Sequence, residues 1–166
     1  MKEDVVFSEK QRFNQWWIWL ILLVSNFSFL IGCFLEESKA DRTALVVGLI
    51  VVFAVTLLML SFRLETEIKR DGVYVRVPPL LLKWRFYPWE NIAKAYIREY
   101  KPILEYGGWG IRGLGKNRAL NISGNIGLQL EFTDGKKMLI GTNNWDDLQK
   151  ALVKLGHKTQ SPTHFS

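Results

Sequence analysis

Two hydrophobic rhythms divide this chain near residue 62. Before that point apolar residues run together: WWIWLILLVSNFSFLIGCFL covers Trp16 to Leu35 and TALVVGLIVVFAVTLLMLSF covers Thr43 to Phe62, each twenty residues without a charge. A helix needs about 20 apolar residues to cross a hydrocarbon core about 30 Å thick. The pattern therefore predicts a transmembrane hairpin over 16–62, with spans at 16–35 and 43–62. Trp16, Trp17 and Trp19 open the first span, where indoles favour the headgroup layer. A soluble pair of buried helices is the competing explanation, and uncharged runs of this length are rare in soluble cores.

After Phe62 the period falls to two. Leu64, Thr66 and Ile68 alternate with Glu65, Glu67 and Lys69 until Asp71-Gly72, a tight-turn signal. Val73, Val75 and Val77 form the returning strand, which Pro78-Pro79 ends. In the next run Leu80, Leu82, Trp84 and Phe86 are expected on one side, with Lys83, Arg85 and Tyr87 on the other. Residues 89–100 make a fourth strand, and 118–123, 126–132 and 136–141 three more, the last two joined by Asp134-Gly135. The rhythm then changes again. Trp145, Leu148, Leu152 and Leu155 share one helical face, Asn144 is the expected N-cap, Asp146 and Asp147 fill the first turn, and Gly156 stands where the helix should stop. The tail 157–166 has no apolar pattern and is expected to be disordered.

The implied protein is an α+β membrane protein: a two-helix transmembrane hairpin followed by a seven-stranded β-barrel capped by a C-terminal helix. Its segments are an N-terminal cytoplasmic stretch 1–15, the hairpin 16–62, a domain 63–156 and the tail. The runs Tyr87-Pro88-Trp89-Glu90-Asn91-Ile92, YGGWGIRG (106–113) and DGKKMLIGTNNWDDLQKAL (134–152) resemble bacterial pleckstrin-homology-like (PH-like) domains carried by small membrane proteins. The resemblance spans about residues 63–156. It implies a PH-like barrel tethered to a membrane and implies no reaction, because one fold hosts many functions.

Charge adds orientation. Residues 1–62 hold five Lys/Arg against six Asp/Glu, whereas 63–166 hold seventeen against ten, so the net charge of +6 comes from the C-terminal part. Lys10 and Arg12 precede the first span, and Arg63, Lys69 and Arg70 follow the second. Lys/Arg near span ends favour the cytoplasm. Both termini and the β domain are thus expected inside a bacterial inner membrane, with the loop 36–42 outside. Leu30-Ile31-Gly32-Cys33 resembles a lipidation box and Ser38-Lys39-Ala40 a signal-peptidase site. The acidic residues Glu3, Asp4 and Glu9 and the length of the apolar run both argue against cleavage. The single cysteine, Cys33, forbids an intrachain disulfide. Asn26 and Asn121 head N-x-S triplets, one within a span and one on the expected cytoplasmic side, where neither would be glycosylated.

Chemistry is sparse. Gly108, Gly110 and Gly113 match G-x-G-x-x-G, and Gly110, Gly115 and Lys116 match G-x-x-x-x-G-K, with Asn117 where a phosphate loop needs Ser or Thr. Both motifs require a helix to follow, and strand-like sequence follows here. His157 and His164 lack ligand partners at metal spacing, and the neighbouring Asp146 and Asp147 read as helix-start charges. No cofactor, small-molecule substrate or enzymatic reaction is expected. Nucleic acid is disfavoured because the aromatics fall at core positions instead of on a stacking platform. The expected function is a non-enzymatic, membrane-anchored interaction module that recruits or stabilises a protein partner, or self-associates, through Trp109, Arg112, Lys116 and Arg118. The alternative is binding of anionic lipid headgroups through Lys69, Arg70, Lys83 and Arg85, each worth about 1 kcal/mol near a charged leaflet.

Overall fold

The computed structural model describes residues 5–13, 15–113 and 115–157. The expected disorder of the tail beyond His157, and His164 with it, lies outside the described residues. The chain forms two compact units: residues 13–62 make one, and the segments on either side of them together make the other.

In the first unit, α1 (Trp16–Leu35) and α2 (Lys39–Ser61) are long and apolar enough to cross a membrane. The second helix starts four residues before the expected span. Ser38 caps it by accepting the Asp41 N–H at 3.5 Å, and Asp41 sits in the first turn, a start signal within the charged loop. No residue of either helix is buried, so nothing among the described residues covers the apolar side chains that point outward. The helices meet at small and polar positions. A Cβ on Gly48 would lie 2.4 Å from the Phe29 ring and one on Gly32 3.3 Å from Leu45. The Asn26 amide donates to Thr56 Oγ1 at 3.1 Å and to the Leu22 carbonyl at 2.7 Å. At the open end, the rings of Phe13 and Phe62 meet edge to face at 6.2 Å.

The second unit holds β1 (Val5–Arg12), β2 (Arg63–Lys69), β3 (Gly72–Val77), β4 (Leu81–Pro88), β5 (Ile92–Glu99), α3 (Pro102–Tyr106), β6 (Gly110–Arg112), β7 (Asn117–Asn121), β8 (Ile126–Phe132), β9 (Lys137–Gly141) and α4 (Trp145–Lys154). The protein is thus mixed α+β. The seven strands expected from the sequence correspond to β2–β5 and β7–β9, and β1 and β6 are additions. Strands β1 to β4 form one antiparallel sheet in chain order, and the other is ordered β5-β8-β9-β7-β6. Neither sheet closes on itself, which corrects the single barrel expected over 63–156: β1 and β4 end one sheet, β5 and β6 the other. The extension β6–β7 adds a parallel pairing of β7 with β9, so the sheet grows sideways where a barrel would close.

Strand β1 corrects the expectation that 1–15 is a separate segment. It pairs with β2 through Phe7↔Ile68, Gln11↔Leu64 and Arg12↔Arg63. The α1–α2 hairpin is therefore an insertion between two neighbouring strands of one sheet. Glu9 accepts from Thr142 Oγ1 at 2.6 Å and from the Asn143 N–H at 2.8 Å, and the Gln11 amide donates to the Gly141 carbonyl at 2.6 Å. These bonds tie the N-terminal strand to the junction of β9 and α4.

Leu64, Ile68, Val73, Val75 and Val77 fill the inner row of the first sheet, and Leu128, Leu130, Met138, Ile140 and Leu120 one row of the second. The other row of the second sheet is buried as well, because Tyr100 and Tyr106 cover Ala119 and Leu139. Helix α4 buries Leu148, Ala151 and Leu152. Trp145, expected on that face, is 37% exposed. Asn144 precedes the helix but caps nothing with its side chain. Its amide donates instead to Asp147 at 2.8 Å, and with Lys150 holds that carboxyl below the usual range. The helix ends as expected: Gly156 takes φ 83°, while the N–H groups of Gly156 and His157 return to Val153 and Leu152.

Candidate interaction site

The glycine-rich stretch becomes a short hairpin, β6 turning into β7, with Gly110↔Asn121 and Arg112↔Ala119 opposed. Gly113 makes the turn possible at φ 77°, since a Cβ there would sit 2.1 Å from the Asn117 carbonyl oxygen. Strands lie on both sides of the glycines, so neither phosphate-loop motif faces a helix N-terminus.

The hairpin separates the four residues expected to bind a partner. Trp109 stands half-buried before β6, its indole N–H donating to the Gly124 carbonyl at 3.1 Å. Arg112 folds back on the Trp109 carbonyl at 2.9 Å. Lys116 occupies the turn, where its carbonyl accepts from Lys137 N–H at 2.6 Å. Arg118 lies on β7 opposite Met138, on the other side of the sheet from Arg112, because alternation sends odd and even neighbours to opposite faces.

Arg118 instead joins a surface that spacing along the chain does not reveal. An open groove of about 460 Å³ runs between the end of β4, the β8–β9 turn and the start of β7. Phe86, Tyr87 and Phe132 supply its apolar wall, with the Tyr87 and Phe132 rings 5.5 Å apart. Arg118, Lys136 and Lys137 supply its cations, against the single acid Asp134. Lys136 pairs with Asp134 at 2.5 Å and Lys137 with Glu131 at 2.9 Å. The hydrogen bond to Glu131 holds the Lys137 ammonium above its usual range, and its counterpart from Lys137 holds the Glu131 carboxyl below. Arg118 is exposed and makes no ion pair among the described residues. A sequence signal existed in the density of aromatic residues in KWRFYPW, which is more than one edge strand can bury.

The four basic residues expected to face lipid do not share a face. Lys69 and Arg70 lie at the β2–β3 turn, while Lys83 and Arg85 lie on β4, whose start is at the other end of the sheet. Lys69 is engaged locally, pairing with Glu67 at 3.2 Å and lying 4.5 Å over the Tyr74 ring. The register puts Arg85 opposite Val75, on the inner side, whereas Glu67 and Tyr74 are opposed on the outer side.

Strand β4 also reverses its expected sidedness. Phe86 pairs with Tyr74 on the outer face and stacks on it at 4.6 Å, and the Arg76 guanidinium covers Trp84 at 4.5 Å. No residue of β4 is buried. The register sets this: Val77 faces Leu81 and Val75 faces Arg85, which sends Trp84 and Phe86 outward. The bulge in which Leu82, Lys83 and Trp84 oppose the one residue Arg76 adds two residues and leaves the alternation unchanged. Among the described residues, no group of three or more His, Cys, Asp or Glu side chains could hold a metal. The sequence matches no protein-family model and no curated protein.

Proposed function

We propose that this chain is a membrane-anchored, non-enzymatic interaction module whose PH-like domain engages an acidic segment of a protein partner at the cytoplasmic face. The observation that carries this reading is the groove of Phe86, Tyr87 and Phe132 rimmed by Arg118, Lys136 and Lys137. An apolar wall with cations around it suits an acidic chain carrying an apolar anchor. The PH-like assignment is supported by a four-stranded antiparallel meander, a second sheet and a C-terminal helix. The anchor rests on α1 and α2 as two membrane crossings, and Lys10, Arg12 and Arg63 beside their ends favour a cytoplasmic side for the domain.

Photo-crosslinking in native membranes tests the groove. A crosslinker at position 136 should capture one partner whose yield collapses with Arg118→Glu and survives Arg70→Glu, a matched charge reversal outside the groove. Equal capture in both variants, or none in the parent protein, would remove the groove from the proposal.

A further inference from the structure

We infer that the β3–β4 turn with the first residues of β4, Pro78 to Leu82, is a lipid-inserting tip that wedges into the interfacial layer of the membrane its own helices cross. The inference rests on the reading of α1 and α2 as membrane spans, and it adds a second, non-helical contact with that membrane.

Three observations converge on this turn. The first is its place in the sheet. The Arg63 N–H donates to the Pro78 carbonyl at 3.1 Å, Arg12 lies opposite Arg63, and Val77 lies opposite Leu81. The turn therefore occupies the end of the sheet where β1 leaves for α1 and where α2 delivers the chain into β2. Phe62 alone separates α2 from β2.

The second is apolar exposure with no role inside the domain. Leu80 is 61% exposed and Leu82 is 68% exposed. Single exposed leucines are ordinary, but two of them and a half-buried tryptophan within five residues concentrate apolar surface at one turn and the strand start after it. Leu82 and Trp84 belong to the β4 bulge opposite Arg76, and Arg76 covers Trp84 from one side at 4.5 Å. Tryptophan beside leucine suits the headgroup boundary, where one part of a side chain is dry and another wet.

The third is charge. Lys83 follows Leu82 directly, Arg85 stands two residues on, and Arg12 ends β1 at the same end of the sheet, beyond β2. All three are exposed and none makes an ion pair among the described residues. Apolar tips flanked by unpaired cations match a bilayer with anionic headgroups: the leucines enter the acyl boundary and the cations meet phosphates. Half of the residues expected to face lipid, Lys83 and Arg85, thus take part, while Lys69 and Arg70 lie at the far end of the sheet.

The test uses the full-length chain with Cys33→Ser, reconstituted in vesicles of three parts phosphatidylcholine to one part phosphatidylglycerol. Single cysteines carry an environment-sensitive fluorophore at Leu82→Cys, at Arg70→Cys as the far-end control, and at Ile50→Cys within α2. The probe at 82 should emit to the blue of the probe at 70. It should be quenched several-fold more by shallow spin-labelled lipid and resist aqueous iodide, and adding Lys83→Glu and Arg85→Glu should weaken all three effects. If 50 is quenched by deep spin label while 82 stays open to iodide, the tip is refuted and the spans stand. If 50 is not quenched by lipid at all, the spans fail and the tip falls with them. A blue-shifted probe at 82 without lipid quenching means that a second copy of the chain covers the leucines, and that also overturns the inference.

Discussion

Glu65 lies on the outer face of its sheet, a place where the alternation of β2 reads as water, yet its side chain is only 3% exposed. Arg76 closes over it at 2.5 Å, and Lys10 and Arg63 stand 3.9 Å away. Burying a charge is tolerable when its partner is fixed, and removing that partner is expensive. Arg76→Ala should therefore cost about 3 kcal/mol in unfolding free energy, and Glu65→Gln markedly less, because Arg76 is itself 31% exposed and can turn to solvent. Denaturant unfolding of the full chain in mild detergent, followed by tryptophan fluorescence, would separate the two. Gly72 offers a steric counterpart. A Cβ there would sit 2.3 Å from the Tyr87 carbonyl oxygen, a backbone atom that cannot swing aside, so Gly72→Ala should lose at least about 2 kcal/mol in the same measurement. The glycine was legible as half of an Asp-Gly turn. Its role as the seat of β4 was not, since the strand pairing behind it is a matter of register. His157 belongs to this scale too. Its ring lies 4.0 Å from that of Trp89, and burial lowers its pKa below the ordinary 6.5. The folded state thus favours neutral imidazole while the unfolded chain takes up the proton more readily. Stability should fall as pH drops through about 6.5, and His157→Phe should flatten that slope between about pH 7.5 and about pH 5.5.

Among the elements, the most legible were those whose signals are local. Helix α4 ends at Gly156 because the left-handed turn, the two returning N–H groups and the last turn all depend on consecutive residues. The first long helix runs over the expected span residue for residue. Strand β4 shows the opposite case. Its period of two is real, but an alternation states only that two sets of side chains differ in direction, not which set faces the core. The pairing of Val77 with Leu81 and of Val75 with Arg85, and the lack of a neighbour beyond β4, decide that, and both are properties of the sheet. Glycines in the long helices were mute in the sequence for a related reason: Gly48 matters because Phe29 of the other helix lies against it. Gly48→Val should destabilise the helix pair by about 1 to 3 kcal/mol, since the ring must leave its rotamer or the helices must part. Adding Phe29→Ala should recover much of the loss. Resistance of the pair to unfolding in a titration with a denaturing detergent reports both.

For the whole molecule the decisive element is β1, and its sequence explains why it hides. The row that faces inward from this strand contains Phe7 but then Glu9 and Gln11, so no apolar alternation marks it. Those polar side chains are turned inward because Thr142 and Asn143 donate to Glu9 and the Gly141 carbonyl accepts from the Gln11 amide, partners some 130 residues further along the chain. A fragment starting at Arg63 would lack that strand and leave Leu64 and Ile68 at a bare edge. It should fail to give a cooperative melt. A chain in which an Asn-Gly turn replaces residues 13–62, joining Arg12 to the opposed Arg63, should fold as a soluble domain, because that connection is an ordinary two-residue hairpin. Calorimetry and amide dispersion in NMR spectra distinguish the two products.

On the proposed reading of α1 and α2 as membrane spans, interrupting a sheet with the helical pair ties folding of the domain to insertion of both helices. Strands β1 and β2 can pair only if Arg12 and Arg63 finish on one side of the bilayer, and two crossings between them satisfy that parity while one or three do not. A chain that inserts one helix and leaves the other behind would strand β1 away from its partner, and the bare edge of β2 would mark the molecule for disposal. Correct insertion has the reverse effect. The paired helices bring Phe13 and Phe62 together, which removes most of the entropy of closing a fifty-residue loop before the first strand bond forms.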